Sequence, residues 1–336
     1  MKVLLIHPFT RMREFLRVRA ALRDRMRRKD AIVIEAIENV IDGTEPRIRL
    51  VPGYRKQLHQ AVAGALAYVD ALVEQIPEAI GFNKRAFGCD ARVNAFFASA
   101  DEMRQLFSAS SQLRECVDAP DGCGRPECFA LLCMRMEEKS RLGVELNGEI
   151  IKRDVPQTVV NFSEHKLLAP GATEQQVRQG LRRCMFDALV THVLEVVLAE
   201  RANHGAPEDP RQVLEARRRA LHTRDRELAA LLDSAQASLP IRAAVSGVVA
   251  NAVVLTPQDY LQQVKELLSC PQDFVKLSRV TLNLTRLGVL SDRGDSAASA
   301  VQLVQIEIGE VLKRVVVLVR YPRAELLAPG DLLPSA

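Results

Sequence analysis

The sequence predicts an α+β fold, mostly helical, with two small antiparallel β-sheet blocks and a central antiparallel helical hairpin. Three observations lead there. Apolar residues recur at helical spacing through most of the first 116 residues and again between 173 and 268. Strand-like runs fall in two places, 128–168 and 278–321, the first of them around Asn147-Gly148. Asn-Gly between apolar runs marks a tight hairpin, because a type I′ turn needs positive φ at both central residues. Aromatic residues make up only 4% of the chain and Trp is absent, so packing rests on Leu, Val, Ile and Ala, a composition that favours helices.

A chain of 336 residues exceeds one ordinary core, and two domains are expected. The boundary falls in 117–127, where Asp118, Pro120, Asp121, Gly122, Gly124 and Pro126 are turn formers. That leaves a helical domain over 1–116 and an α+β domain over 128–326.

In chain order, Val3 to Ile6 reads as a short buried strand. Thr10 caps a helix running to about Lys29. Asp30 caps a second helix through Ile41, ended by Gly43, since Val33, Ile37 and Ile41 repeat every four residues. A helix from about Tyr54 to Ile76 stops before Pro77. Ser99-Ala100-Asp101-Glu102 fits a capping box and opens a helix toward Cys116. Phe129 to Met136, Leu142 to Leu146, Glu149 to Ile151 and Gln157 to Phe162 form a meander over 128–168. Thr173 to Gln176 is another capping box. It opens the first helix of a hairpin spanning 173–236, whose second helix starts at Asp209-Pro210 and carries Leu214, Leu221 and Leu228. Thr256-Pro257 opens a helix over 257–268. Antiparallel strands follow within 278–321, ending in the continuous apolar run of a central strand, Arg314 to Tyr321.

Charge carries the clearest functional signal. Residues 1–30 hold ten Lys/Arg and three Asp/Glu, a net of +7, whereas the rest of the chain is −3. On the first helix Phe15, Val18, Leu22 and Met26 share one face. Arg13, Arg17, Arg27 and Arg28 lie opposite, with Arg19 and Arg25 at the edges. Charge concentrated at one end points to an acidic partner. The expected contacts are Arg13, Arg17, Arg23, Arg27 and Arg28, with Phe15, Val18, Leu22 and Met26 anchoring the helix. An acidic protein surface answers this description. So does nucleic acid, through arginines on phosphates, and peripheral contact with an anionic membrane. Low aromatic content argues against a base-stacking surface. Self-association through 173–236 is a further expectation.

Four cysteines, Cys116, Cys123, Cys128 and Cys133, fall within 18 residues and are candidate zinc ligands. Their spacing lacks the paired short knuckles of structural zinc sites, and Cys133 sits in an apolar strand. Ser163-Glu164-His165 ends a strand and invites a triad reading, but nothing marks an oxyanion hole. There is no phosphate-binding loop, dinucleotide fingerprint, zinc-protease helix motif or nucleophile elbow. No cofactor is implied. No leader or membrane-length apolar run is seen, and an odd seven cysteines reads as reduced, which points to the cytoplasm. The expectation is a non-catalytic interaction or regulatory protein. The rivals are a nucleic-acid-binding protein and an enzyme whose site brings His165, Glu164 or Cys128 together near the β blocks.

Overall fold

The computed structural model describes residues 8–120, 122–147, 150–203, 255–285, 288–291, 298–309 and 312–331; side chains are described within these except at 8–25, 145–147, 150–151, 201–203 and 329. The strand expected at Val3–Ile6 and the second helix of the 173–236 hairpin lie outside the described residues.

The first helix, α1, runs Pro8–Gly43 without a break. The division expected at Asp30 does not occur. Lys29-Asp30-Ala31 offers neither Gly nor Pro, so a good capping residue alone does not stop a helix whose neighbours continue it. Val33, Ala36, Ile37, Val40 and Ile41 form its buried face. They pack on Leu58, Ala61, Val62 and Ala65 of α2 (Tyr54–Glu74), on Phe186, Val190, Val193 and Val197 of α7 (Glu174–Asn203), and on Tyr260, Leu261, Val264 and Leu268 of α8 (Pro257–Ser269). α8 opens at Thr256-Pro257 as expected, and Thr256 forms a capping box closed reciprocally by Asp259. At the start of α7, Thr173 accepts from the Gln176 N–H, and the Gln176 side chain accepts from Ala172 N–H rather than from Thr173 itself. Arg178 of α7 donates to the carbonyls of Val73 and Ile76, at 2.7 and 2.9 Å. It thereby satisfies the exposed end of α2 and fixes the two helices together.

The strands are β1 (Ile80–Gly81), β2 (Glu127–Asn147), β3 (Ile150–Gly171), β4 (Val275–Thr285), β5 (Ala298–Ile308) and β6 (Leu312–Pro322). They build one sheet in the order β3-β2-β6-β5-β4, with β1 parallel to β6. This overturns the expected fold class. Among the described residues there are eight α-helices and a single six-stranded sheet of long strands, not two small blocks on a mostly helical frame. The two blocks fuse where β2 pairs with β6, Cys128 opposite Tyr321 and Met134 opposite Val315. Local sequence pattern does not report pairing between such distant segments. The meander of short strands is likewise one long hairpin, paired as far as Asn147 opposite Ile150, so Asn147 belongs to the strand rather than to the turn centre expected at Asn147-Gly148.

The sheet curls until its ends meet. β3 carries the extra residue of three bulges against β2, and each bulge holds a left-handed residue: Asp154 (φ 60), Glu164 (φ 53) and Ala169 (φ 46). Bulges bend a strand and increase its twist. Residues 288–291 then close the ring. They hydrogen-bond β4 on one side (Thr285 N–H to Val289 O, 2.9 Å) and the free edge of β3 on the other (Val160 N–H to Gly288 O and Leu290 N–H to Thr158 O, both 2.8 Å). Gly288 is at φ +74, and a Cβ there would lie 2.9 Å from the Val160 carbonyl oxygen, so only glycine serves.

The inner face is filled by short helices α3 (Lys84–Cys89), α4 (Ala91–Phe96), α5 (Ala100–Ala109) and α6 (Ser111–Asp118). The scarce aromatics gather here. Phe107 stacks on Tyr321 at 4.2 Å between ring centres, and Phe96 meets Phe162 edge-on at 5.1 Å. Residues 82–117 and 128–321 share this one core, so the turn at 119–126 joins α6 to β2 over a common interior. The outer face packs Leu131, Cys133, Val304, Ile306, Val316 and Leu318 on α7 and the second half of α2.

Candidate partner-binding surface

Helix α1 leaves the core at Val33. Every residue from Met26 to Ile32 is exposed, roughly two full turns with no covered side. A helix resting on its own domain shows an apolar stripe toward the core and a polar back. This stretch shows neither. Met26 is 66% exposed and Ile32 57%, and between them stand Arg27, Arg28 and Lys29, all exposed. Among the described residues these three cations have no carboxylate partner. At about 100° per residue, Met26 falls on the same face as Val33 and Ile37. The stripe that α2, α7 and α8 cover farther along is thus left uncovered at Met26. Among the described residues Met26, expected to anchor the helix, stands mostly in water.

Beside the exposed turns, α1 and α2 flank a groove of about 370 Å³ lined by Ile34, Arg55, Lys56, His59 and Gln60. Ile34, 42% exposed, is the apolar residue of its lining. His59 lies 3.9 Å from Asp30, linking the rim to α1. Glu38 fixes the far end. Burial alone would raise its carboxyl, but hydrogen bonds from Arg49, Tyr54 and Arg55 hold it below the ordinary value. It accepts from Arg49 at 2.9 Å, from Tyr54 at 2.9 Å and from Arg55 at 2.9 Å. The surface therefore combines an apolar strip with basic side chains on two helices.

Of the arginines expected to contact a partner, Arg27 and Arg28 stand exposed. Arg13, Arg17 and Arg23 lie on the same helix, and their side chains are not among those described. Arg55, Lys56 and His59 were not anticipated, because nothing local links the start of α2 to α1. Ile32 and Ile34 were detectable: both fall off the Val33, Ile37, Ile41 repeat.

The other constellations do not assemble. Cys128 and Cys133 sit on opposite faces of β2. The Cys128 thiol donates to the Tyr321 carbonyl at 3.3 Å inside the ring, and Cys133 packs against the outer face. Burial pushes both thiols up to about 12, which keeps them protonated and poor ligands. Cys123 is exposed on the turn after α6 and Cys116 is half-buried. Among the described residues no group of three or more His, Cys, Asp or Glu is placed to hold a metal ion. His165 and Glu164 also part company. The His165 ring nitrogen Nε2 pairs with the Phe96 carbonyl at 2.7 Å and the ring stacks on Phe97. Glu164 turns outward to Arg135 at 3.1 Å and Arg314 at 2.5 Å. His192, half-buried on α7, stacks on Phe274. The apolar face of α7 is buried within the chain, and 204–236 lie outside the described residues, which leaves no described surface for self-association there. Among the described residues no helix is long and apolar enough to cross a membrane.

No family model, curated protein or solved structure matches the chain.

Proposed function

We propose that this chain is a non-catalytic interaction module whose basic helix α1 docks on an acidic protein surface that offers an apolar seat. The observation that carries the reading is the run from Met26 to Ile32, exposed on all sides and mixing large apolar residues with three consecutive cations. Phosphate contacts need only the cations. Leaving Met26 and Ile32 in water forgoes a burial worth about 1.5–3 kcal/mol for each side chain when complete, and an apolar seat on a protein recovers it. The groove at Ile34 extends the same mixture onto α2.

The test has two arms. Purified chain is titrated with generic DNA and RNA at several salt concentrations, and proteins captured from extract are compared between wild type and two variants. One variant reverses Arg13, Arg17, Arg27 and Arg28 to Glu; the other is Met26→Ser with Ile32→Ser. The reading expects weak nucleic-acid binding and a captured acidic protein lost by both variants. A salt slope equivalent to about four or more released ions, flattened by the charge reversal, would replace it with the nucleic-acid reading. Capture unchanged by both variants would remove its basis.

A further inference from the structure

The hairpin of β2 and β3 outruns the sheet. β6 pairs with β2 only as far as Met134, and 288–291 reaches β3 only at 158–160. Among the described residues, 141–147 and 150–157 continue alone as a two-stranded arm, about 20–25 Å long at 3.3 Å per residue. A free two-stranded ribbon is marginally stable in water. Among its described side chains, the exposed apolar ones share a single face: Leu142 is 70% exposed, Val144 is 61% exposed, and Pro156, opposite Leu142, is exposed too.

The two edges of the arm differ. Along β3 the Asp154 bulge breaks the register, and Pro156 has no N–H to offer. Along β2 the strand runs on from Arg135 with neither a proline nor an extra residue. The open edge is therefore that of β2. Its charges choose the occupant. Over 138–158, Lys139, Arg141, Lys152 and Arg153 balance Glu138, Glu145, Glu149 and Asp154, so the arm is neutral and two copies do not repel. Helix α1, with its strong positive charge, offers no such match to a second copy. An antiparallel β2–β2 pairing with the two-fold axis at Gly143 sets Leu142 opposite Val144 on one face. On the other face it sets position 141, an Arg, opposite position 145, a Glu. Symmetry makes each pair twice. Charges that deter a foreign strand are matched in this register.

We propose that the β2–β3 arm pairs with the same arm of a second copy of this chain, edge to edge along β2, giving a four-stranded sheet across a two-fold axis. Analytical ultracentrifugation of the full chain over about 1–100 µM tests it. The wild type should be a dimer that dissociates on dilution. Leu142→Lys with Val144→Lys should weaken it about tenfold or more, and Arg141→Glu or Glu145→Arg alone should weaken it severalfold. Combining Arg141→Glu with Glu145→Arg should restore it. All four positions lie on the arm beyond the sheet, and unchanged thermal midpoints would show the fold intact. Amide exchange along β2 beyond Arg135 should slow as protein concentration rises. A monomer at every concentration overturns the proposal. So does a dimer indifferent to the Lys pair, or a double charge swap that fails to rescue its single variants.

Discussion

Replacing Gly180 with Ala should destabilise this protein, against the usual effect of that change in a helix. Gly180 is inside α7, where Ala is ordinarily better by about 1 kcal/mol. Here a Cβ at 180 would stand 2.6 Å from the Cβ of Ala169, a distance that forces something to move. Ala169 is the left-handed residue (φ 46) of the last β3 bulge, so its methyl is held by a bent strand rather than by a mobile side chain. Overpacking of this kind costs about 1–3 kcal/mol, and the net expectation for Gly180→Ala is a loss of up to about 2 kcal/mol. Ala169→Gly removes both the facing methyl and the left-handed penalty, and should be neutral or stabilising by up to about 1 kcal/mol. The double variant should then recover the helix gain, with a favourable coupling of about 1–3 kcal/mol. Urea denaturation of the four proteins, at constant slope, measures the cycle. A Gly180→Ala protein more stable than wild type, or a cycle with no coupling, would refute the claim that α7 sits on that bulge.

Two further expectations concern stability. Ile37→Ala, at a fully buried site on α1, should cost about 2–5 kcal/mol, whereas Ile32→Ala, one turn earlier and 57% exposed, should stay within about 0.5 kcal/mol. Comparable losses in denaturation would mean that α1 is covered farther back than Val33. His165 tests the ring interior by pH. Burial lowers its pKa, opposed by the Phe96 carbonyl and by Glu102, so the fold holds the ring neutral while the unfolded chain takes up a proton first. Its contribution is complete above the ordinary histidine value of about 6.5 and is lost as pH falls from there toward the folded value. Wild type should therefore lose stability relative to His165→Gln between about pH 7 and pH 5, and a difference that does not change with pH would contradict a buried neutral ring.

The helices were legible because their signals are local. Ser99, Thr173 and Thr256 each cap the helix expected there, although Glu102 and Gln176 close on Ala98 and Ala172 rather than on the capping residue, and Gly43 ends α1. Asn147-Gly148 marked the hairpin to within a residue, since Asn147 still pairs with Ile150. The sheet was not legible, for two reasons. The polar run Glu137 to Arg141 reads as a break between strands, yet it is continuous strand whose side chains are polar because the arm meets water. The closing segment at 288–291 is too short to show any periodicity, and it is located by Gly288 against Val160, which only the folded chain brings together. The same division holds at the candidate surface. A block of arginines is visible in one dimension, but its junction with Arg55, Lys56 and His59 depends on how α2 crosses α1.

Two exposed surfaces among the described residues, α1 from Met26 to Ile32 and the β2–β3 arm, differ in a way that separates the partners proposed for them. On α1, exposed Met26 and Ile32 stand among cations that have no carboxylate partner among the described residues, so a second copy of the chain would bring like charge to like charge over a short distance. That cost falls as salt screens it, and an acidic partner gains where a copy loses. On the β2–β3 arm, Leu142 and Val144 stand among charges that sum to zero and that pair with their own image. Association there should change little with salt, because its driving force is apolar burial and strand pairing. Both could operate in one molecule, since the arm leaves the sheet beyond the end of β6 and the exposed turns of α1 leave the helical layer at Val33. A dimer formed through the arm would then carry two copies of the basic helix. It would bind a partner with two acidic sites more tightly than either helix alone, by the effective concentration the first contact imposes on the second. Arm variants that dissociate the dimer should therefore weaken capture of such a partner while leaving the affinity of a single α1 contact unchanged.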